Sequence, residues 1–188
     1  IPFATGLKLA RPQGTVIVAS GDGDLLAIGG NHFIHAARRN VDMTIICVNN
    51  LTYAMTGGQV GPTTPLGAVA TTTPFGNHEM PFNLPFLADS AGAVYVARWT
   101  TFHVRQMARS MGEALRKKGF CFIEVISPCP EIFGRYNKMR SGLEMMSWFK
   151  KASVVESFSD PAKADISLDR ITVGEFVDIE KLSYEKLL

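Results

Sequence analysis

The sequence predicts an α/β fold, a parallel sheet with flanking helices, and three observations carry that expectation. Short apolar runs of strand length alternate with longer segments of helical period. Turn residues such as Gly21-Asp22-Gly23 and Asn49-Asn50 stand where the apolar runs end. A chain of 188 residues that is 46% hydrophobic can bury one sizeable core. Strands alternating with helices imply right-handed crossovers and a ligand site at the carboxyl ends of the strands.

The elements follow in order. Residues 15–19 are nearly all apolar and are expected as a buried strand. Residues 25–40 are expected as one helix, with Leu26, Phe33, Ile34 and Ala37 facing inward. Arg38 and Arg39 fall in its last turn, where cations suit the helix dipole. Residues 43–48 are the next strand. Residues 50–86, rich in Gly, Thr and Pro, are expected as a long functional loop. Residues 94–97 are expected as a strand and 102–118 as a helix, with Val104, Met107, Ala108, Met111 and Leu115 as its apolar stripe. Residues 120–126 are expected as another buried strand. Residues 150–188 carry weaker periodicity and more charge and are expected as a peripheral C-terminal extension of a main domain over 1–149.

Composition narrows the function. A net charge of +2, without long Lys/Arg runs, gives no footprint for nucleic acid. There is no apolar stretch of membrane-spanning length and no signal-peptide pattern. The three cysteines Cys47, Cys121 and Cys129 lack disulfide-scaffold spacing, so a reducing, cytoplasmic setting is expected. Cys47 and Cys121 fall in strands and read as small core residues.

The chemistry concentrates in Gly21-Asp22-Gly23-Asp24 and Asn49-Asn50, with the 25 residues from Asp24 to Val48 standing between Gly23 and Asn49. A strand runs into a Gly-Asp-Gly turn, then a helix, then a second strand ending in Asn-Asn. Asp22 offers a hard anionic oxygen and Asn50 a neutral amide oxygen. Mg²⁺ prefers such oxygens and keeps positions for substrate phosphates. Gly21 and Gly23 allow a sharp turn and close approach of a phosphate. The amides that open the following helix point toward an anion. Asp24 fits two roles, cofactor contact or helix cap.

These residues resemble the thiamine-diphosphate motif of thiamine-dependent enzymes. The order of Ile1-Pro2-Phe3-Ala4-Thr5-Gly6, Gly21-Asp22-Gly23-Asp24, Ile28-Gly29-Gly30-Asn31-His32, Thr56-Gly57-Gly58-Gln59 and Ser127-Pro128-Cys129-Pro130 is similar to the beta subunit of 2-oxoacid:ferredoxin oxidoreductases, most of all the 2-oxoglutarate type. The resemblance spans roughly residues 1 to 140. It implies a thiamine-diphosphate-binding fold and a subunit of an enzyme that decarboxylates a 2-oxoacid oxidatively, passing electrons to ferredoxin and the acyl group to coenzyme A.

The resemblance also assigns roles. Asp22, Asn50 and the Thr52 carbonyl would hold Mg²⁺, and Gly21, Gly23, Asp24, Asn31, His32, Thr56, Gly57, Gly58 and Gln59 would surround the cofactor. Two glycines inside the expected helix, Gly29 and Gly30, suggest close approach by a ligand or a neighbouring helix. His32 fits either a structural or a cofactor role. Cys129 would be one ligand of a 4Fe–4S cluster, with the others upstream, because such a cluster normally takes four thiolates. The chain opens at Ile1 without Met, and the resemblance implies a cysteine-bearing segment before this point, so a truncated or partly ordered chain is expected. An alpha subunit would complete the thiamine site, across residues 50–86 and the face of residues 28–32. Two rival readings are a non-oxidative thiamine enzyme, which needs no cluster, and a scaffold subunit with a relic site.

Overall fold

The computed structural model describes residues 1–187; Leu188, the last residue of the expected extension, lies outside them. The helices are α1 (Pro2–Ala10), α2 (Gly30–Arg39), α3 (Leu84–Ala91), α4 (Val104–Arg116) and α5 (Gly142–Ala152). The strands are β1 (Ile17–Gly21), β2 (Met43–Asn49), β3 (Tyr95–Thr100), β4 (Phe120–Ile126), β5 (Ser153–Val155) and β6 (Ile171–Asp178). They form a six-stranded sheet in the order β1-β2-β4-β3-β6-β5. The first four are mutually parallel, and β6 runs antiparallel to β3 with a register shift between Val96 and Ala97.

Period-2 alternation divides the core between the two faces. Phe120 and Phe122 of β4 join Val96, Phe33, Ala36, Ala37, Leu84 and Ala88, which places α2 and α3 on one face. Cys121, Ile123 and Val125 join Ala97, Trp99, Ala114, Met145 and Phe149, which places α4 and α5 on the other. Phe33 meets the edges of Phe120 and Phe122 at centroid distances of 5.3 and 5.1 Å, the geometry favoured by aromatic quadrupoles. Local signals set several ends. Pro2 opens α1, where a missing N–H costs nothing. Asn40 closes α2 in the left-handed conformation. Ser141 and Glu144 form a reciprocal capping box at α5.

Several expectations need correction. The helix expected over 25–40 is two pieces: a π-helical turn over Gly23–Ile28, then α2. The Gly29 amide donates five residues back to the Asp24 carbonyl, and that wider turn breaks the register. Ile34, expected inward, is exposed, whereas Leu26, Phe33 and Ala37 are buried. β1 is an edge strand and is only partly covered, not buried throughout. α3 begins inside the segment expected as loop. On α4 the buried residues are Ser110 and Ala114, while Val104, Ala108 and Leu115 are exposed. The Trp99 indole donates to Ser110 Oγ at 2.8 Å, so small and polar residues face the sheet and the apolar stripe is rotated aside. The described part of residues 150–188 is not peripheral: α5 crosses residue 149, and β6, buried along most of its length, pairs with β3. A strand covered on both faces has no alternation to read.

Candidate functional site

β1 and β2 are adjacent and parallel, with Gly21 opposite Val48, so their carboxyl ends deliver Asp22 and Asn49-Asn50 side by side. A cavity of about 220 Å³ opens there, lined by Gly21, Asp22, Gly23, Asp24, Val48, Asn50, Thr52, Tyr53, Ala54, Met55 and Thr56. Seven of the twelve expected cofactor residues line it: Gly21, Asp22, Gly23, Asp24, Asn50, Thr52 and Thr56. Asn31 and His32 do not. Both are exposed on α2, and His32 lines a separate small cavity with Ser20, Asp24 and Gly29. Gly57, Gly58 and Gln59 also stand outside the lining and instead shape its loop. The Tyr53 amide donates to the Gln59 carbonyl at 3.1 Å, and the Gly58 amide to the Tyr53 carbonyl at 2.8 Å. Thr52 Oγ1 donates to the same Gln59 carbonyl at 2.9 Å. Gly58 has φ +91°, and a Cβ there would stand 2.6 Å from Ile132 Cγ2, so only glycine closes this loop without strain.

Asp22 is 3% exposed. Burial pushes its carboxyl above the usual range, opposed by the Thr63 hydroxyl and by backbone amides including that of Asn50. It makes no ion pair among the described residues. A buried carboxylate without a counter-charge is costly, and a cation beside it removes that cost. The oxygens of Asp22, Asn50 and Thr52 suit a hard divalent ion. The described residues hold no cluster of three or more His, Cys, Asp or Glu that would suit a softer one.

The backbone between the neutral donors is strained. Leu51, fully buried, has φ +66°, which costs a non-glycine residue of order 1–3 kcal/mol unless its surroundings hold it. The Leu51 amide donates to Asn49 Oδ1 at 2.9 Å and the Thr52 amide to Asn50 Oδ1 at 3.3 Å. These bonds turn Asn50 and Thr52 toward the cavity.

Sequence reasoning missed the groups beneath this surface. Thr63, a buried loop residue, lies 2.6 Å from Asp22 Oδ2 and 2.9 Å from Asn49 Oδ1. Asn49 Nδ2 donates to Glu124 Oε1 at 2.7 Å, and Arg98 Nε donates to Glu124 Oε2 at 2.6 Å. Glu124 and Arg98 are both fully buried. The available signal was a single charge in each of two apolar strands, because such residues are almost never fully buried unless paired.

Cys129 follows β4, which is parallel to β1 and β2, and therefore lies toward the same edge of the sheet as Asp22. It is half-buried and free, whereas Cys47 and Cys121 are buried in strands. Burial and the nearby carboxylates push the Cys47 thiol up, and burial pushes Cys121 up to about 12, so both stay protonated. Among the described residues no helix is long and apolar enough to cross a membrane.

Comparison with known proteins places the chain in a family. The family model described as thiamine pyrophosphate enzyme, C-terminal TPP binding domain, matches residues 1–125. The 2-oxoglutarate synthase subunit KorB of Methanocaldococcus jannaschii is 53% identical over 182 residues, covering 96% of this chain and 67% of the relative. The subunit of the same name from Methanothermobacter thermautotrophicus is 53% identical over 178 residues, covering 95% and 62%. A solved 2-oxoglutarate:ferredoxin oxidoreductase from Magnetococcus marinus, with 2-oxoglutarate, coenzyme A and succinyl-CoA bound, superposes with a TM-score of 0.81. It is 30% identical, and the match covers 99% of this chain and 64% of that one. The chain thus spans about two thirds of the length of these relatives.

Proposed function

Because this chain belongs to the thiamine pyrophosphate enzymes, in the family of their C-terminal TPP binding domain, and within them to the beta subunits of 2-oxoacid:ferredoxin oxidoreductases, we propose that it supplies the diphosphate-binding half of an enzyme that oxidatively decarboxylates 2-oxoglutarate. The observation that carries this reading is the buried, uncompensated Asp22 facing Asn50 and Thr52 across one cavity.

In this reading Asp22, Asn50 Oδ1 and the Thr52 carbonyl hold Mg²⁺, which binds the diphosphate of thiamine diphosphate. When bound, that cofactor supplies the nucleophilic carbon and the electron sink for decarboxylation. This chain's residues bind and orient. Gly21 leaves room for the phosphates, Gly23 leaves room for the Tyr53 ring, Tyr53 and Met55 wall the cavity, and the Thr56–Gln59 contacts hold the loop closed on itself. Cys129 contributes one thiolate to a 4Fe–4S cluster. A cluster takes four, so the others come from polypeptide outside residues 1–187. An alpha subunit completes the thiamine site, ferredoxin accepts the electrons, and coenzyme A takes the acyl group, in the cytoplasm. Identity of 53% to subunits named for 2-oxoglutarate supports that substrate.

The test is Asp22→Ala in the full-length subunit co-purified with its partner under anaerobic conditions. Mg²⁺-dependent binding of thiamine diphosphate and 2-oxoglutarate-dependent viologen reduction are expected to vanish together. Unchanged cofactor binding in the variant sinks the site. Binding without viologen reduction by the wild-type complex, for any 2-oxoacid, points to non-oxidative chemistry.

A further inference from the structure

Beneath the cavity a chain of buried polar side chains runs into the sheet. Thr63 touches Asp22, Asn49 touches Thr63, Glu124 holds Asn49, and Arg98 holds Glu124. Arg98 Nη1 then donates to the carbonyls of Ala164 at 2.8 Å and Thr172 at 3.3 Å, beside and at the start of β6. Every side chain in it is buried. Burying an ion pair usually returns little stability, because desolvation offsets the Coulombic gain, and apolar replacements are often as stable. The pair therefore asks for another reason.

Asn49 gives one. It ends β2 and is tied on both sides of its amide. Nδ2 is fixed by the Glu124 carboxylate, which can only accept. Oδ1 must then face the other way, where it accepts the Leu51 amide and meets the Thr63 hydroxyl. Through Leu51 it holds the left-handed turn that presents Asn50 and Thr52. Thr63 packs against the same oxygen at 2.9 Å and sets the place of Asp22 directly. Thr63 has one proton for two acceptors, and the nearer one is Asp22 Oδ2, at 2.6 Å. We propose that Thr63, Asn49, Glu124 and Arg98 are positioning residues that lock the three oxygen donors of the metal site into one geometry, with β6 anchoring the far end. This inference rests on the Mg²⁺–diphosphate reading of the cavity and names what sets its affinity. Outer hydrogen-bond partners of metal ligands are typically worth about 10–100-fold in metal affinity.

The experiment titrates Mg²⁺ into the full-length subunit–partner complex at fixed thiamine diphosphate, by calorimetry, and measures thermal unfolding without either. Thr63→Val removes the hydroxyl at nearly constant shape, and Thr63→Ser restores it. The double variant Arg98→Met with Glu124→Leu releases Asn49 without leaving a lone buried charge. Thr63→Val and the double variant are expected to weaken Mg²⁺ binding by about 10-fold or more, with Thr63→Ser close to wild type. The unfolding temperature of Thr63→Val should stay near that of wild type. Wild-type binding with Thr63→Val within about twofold of it overturns the inference and leaves the functional reading intact. So does a Thr63→Val complex that melts early yet binds Mg²⁺ normally, which marks a purely structural role. A wild-type complex that binds no Mg²⁺ overturns both. If the double variant fails to fold, the Thr63 pair decides alone.

Discussion

Gly23→Ala tests whether the turn after β1 is shaped by the residue that walls the cavity. A Cβ at Gly23 would stand 2.2 Å from Tyr53 Cε1, 2.9 Å from Cδ1 and 3.0 Å from Cζ. Carbon atoms sit comfortably at about 3.5–4.0 Å, so the ring must retreat by more than about 1 Å. The Tyr53 backbone cannot follow, because its amide and carbonyl are bonded to Gln59 and Gly58. The ring can follow, since it is the free end of a half-buried side chain. Overpacking costs about 1–3 kcal/mol, and a ring that swings away puts this case near 1 kcal/mol. For a chain of this size that lowers Tm by about 2–4 °C. The larger effect should fall on Mg²⁺-dependent thiamine diphosphate binding, because the displaced ring adjoins Thr52 and leaves the cavity wall. Circular dichroism melting and cofactor titration measure the two. Gly6→Ala in α1 is the control: its Cβ would meet nothing within 4 Å, and Ala suits a helix. If Gly23→Ala matches that control in both assays, the close-approach argument fails. A Tm loss far beyond the expected range would mean that the ring cannot yield.

Two further outcomes concern stability. Phe33→Ala should cost about 3–5 kcal/mol, because Phe33 is fully buried and fills the space against Phe120 and Phe122; denaturant unfolding checks this, and a loss under about 1 kcal/mol would show that the face collapses to fill the gap. Asp42 predicts an acid limb: burial raises its carboxyl, but Lys8 at 2.6 Å, the Gly119 amide and Lys118 together hold it below its ordinary value of 3.8. A depressed carboxylate contributes stability that is present above 3.8 and lost as pH falls through its folded value. Tm of the wild type should therefore fall more steeply than that of Asp42→Asn below about pH 3.8, and parallel acid limbs would refute the Lys8–Asp42 tether between α1 and β2.

Much of this molecule was legible in the sequence. β2 and β4 show as apolar runs because strands covered on both faces are apolar throughout. The Gly-Asp-Gly turn and the Asn pair are local chemistry: both close apolar runs, so a short carboxylate and an amide stand at strand ends whatever else the fold does. That is why Asp22, Asn50 and Thr52 come together as expected. Other features depend on partners far away in the chain. Periodicity alone cannot say which side of α4 meets the sheet, and Trp99 chose Ser110 over the apolar stripe. The charge-rich tail became part of the sheet because β3 offered it an edge, and Arg98 offered its carbonyls a buried donor. Thr63 carries no motif. It reaches Asp22 only because a loop 41 residues away folds back over the cavity. The sequence by itself determined which atoms could hold a cation, since donor chemistry is a property of residue type. The tertiary structure decided how firmly they are held, since that depends on hydrogen bonds between residues distant in sequence.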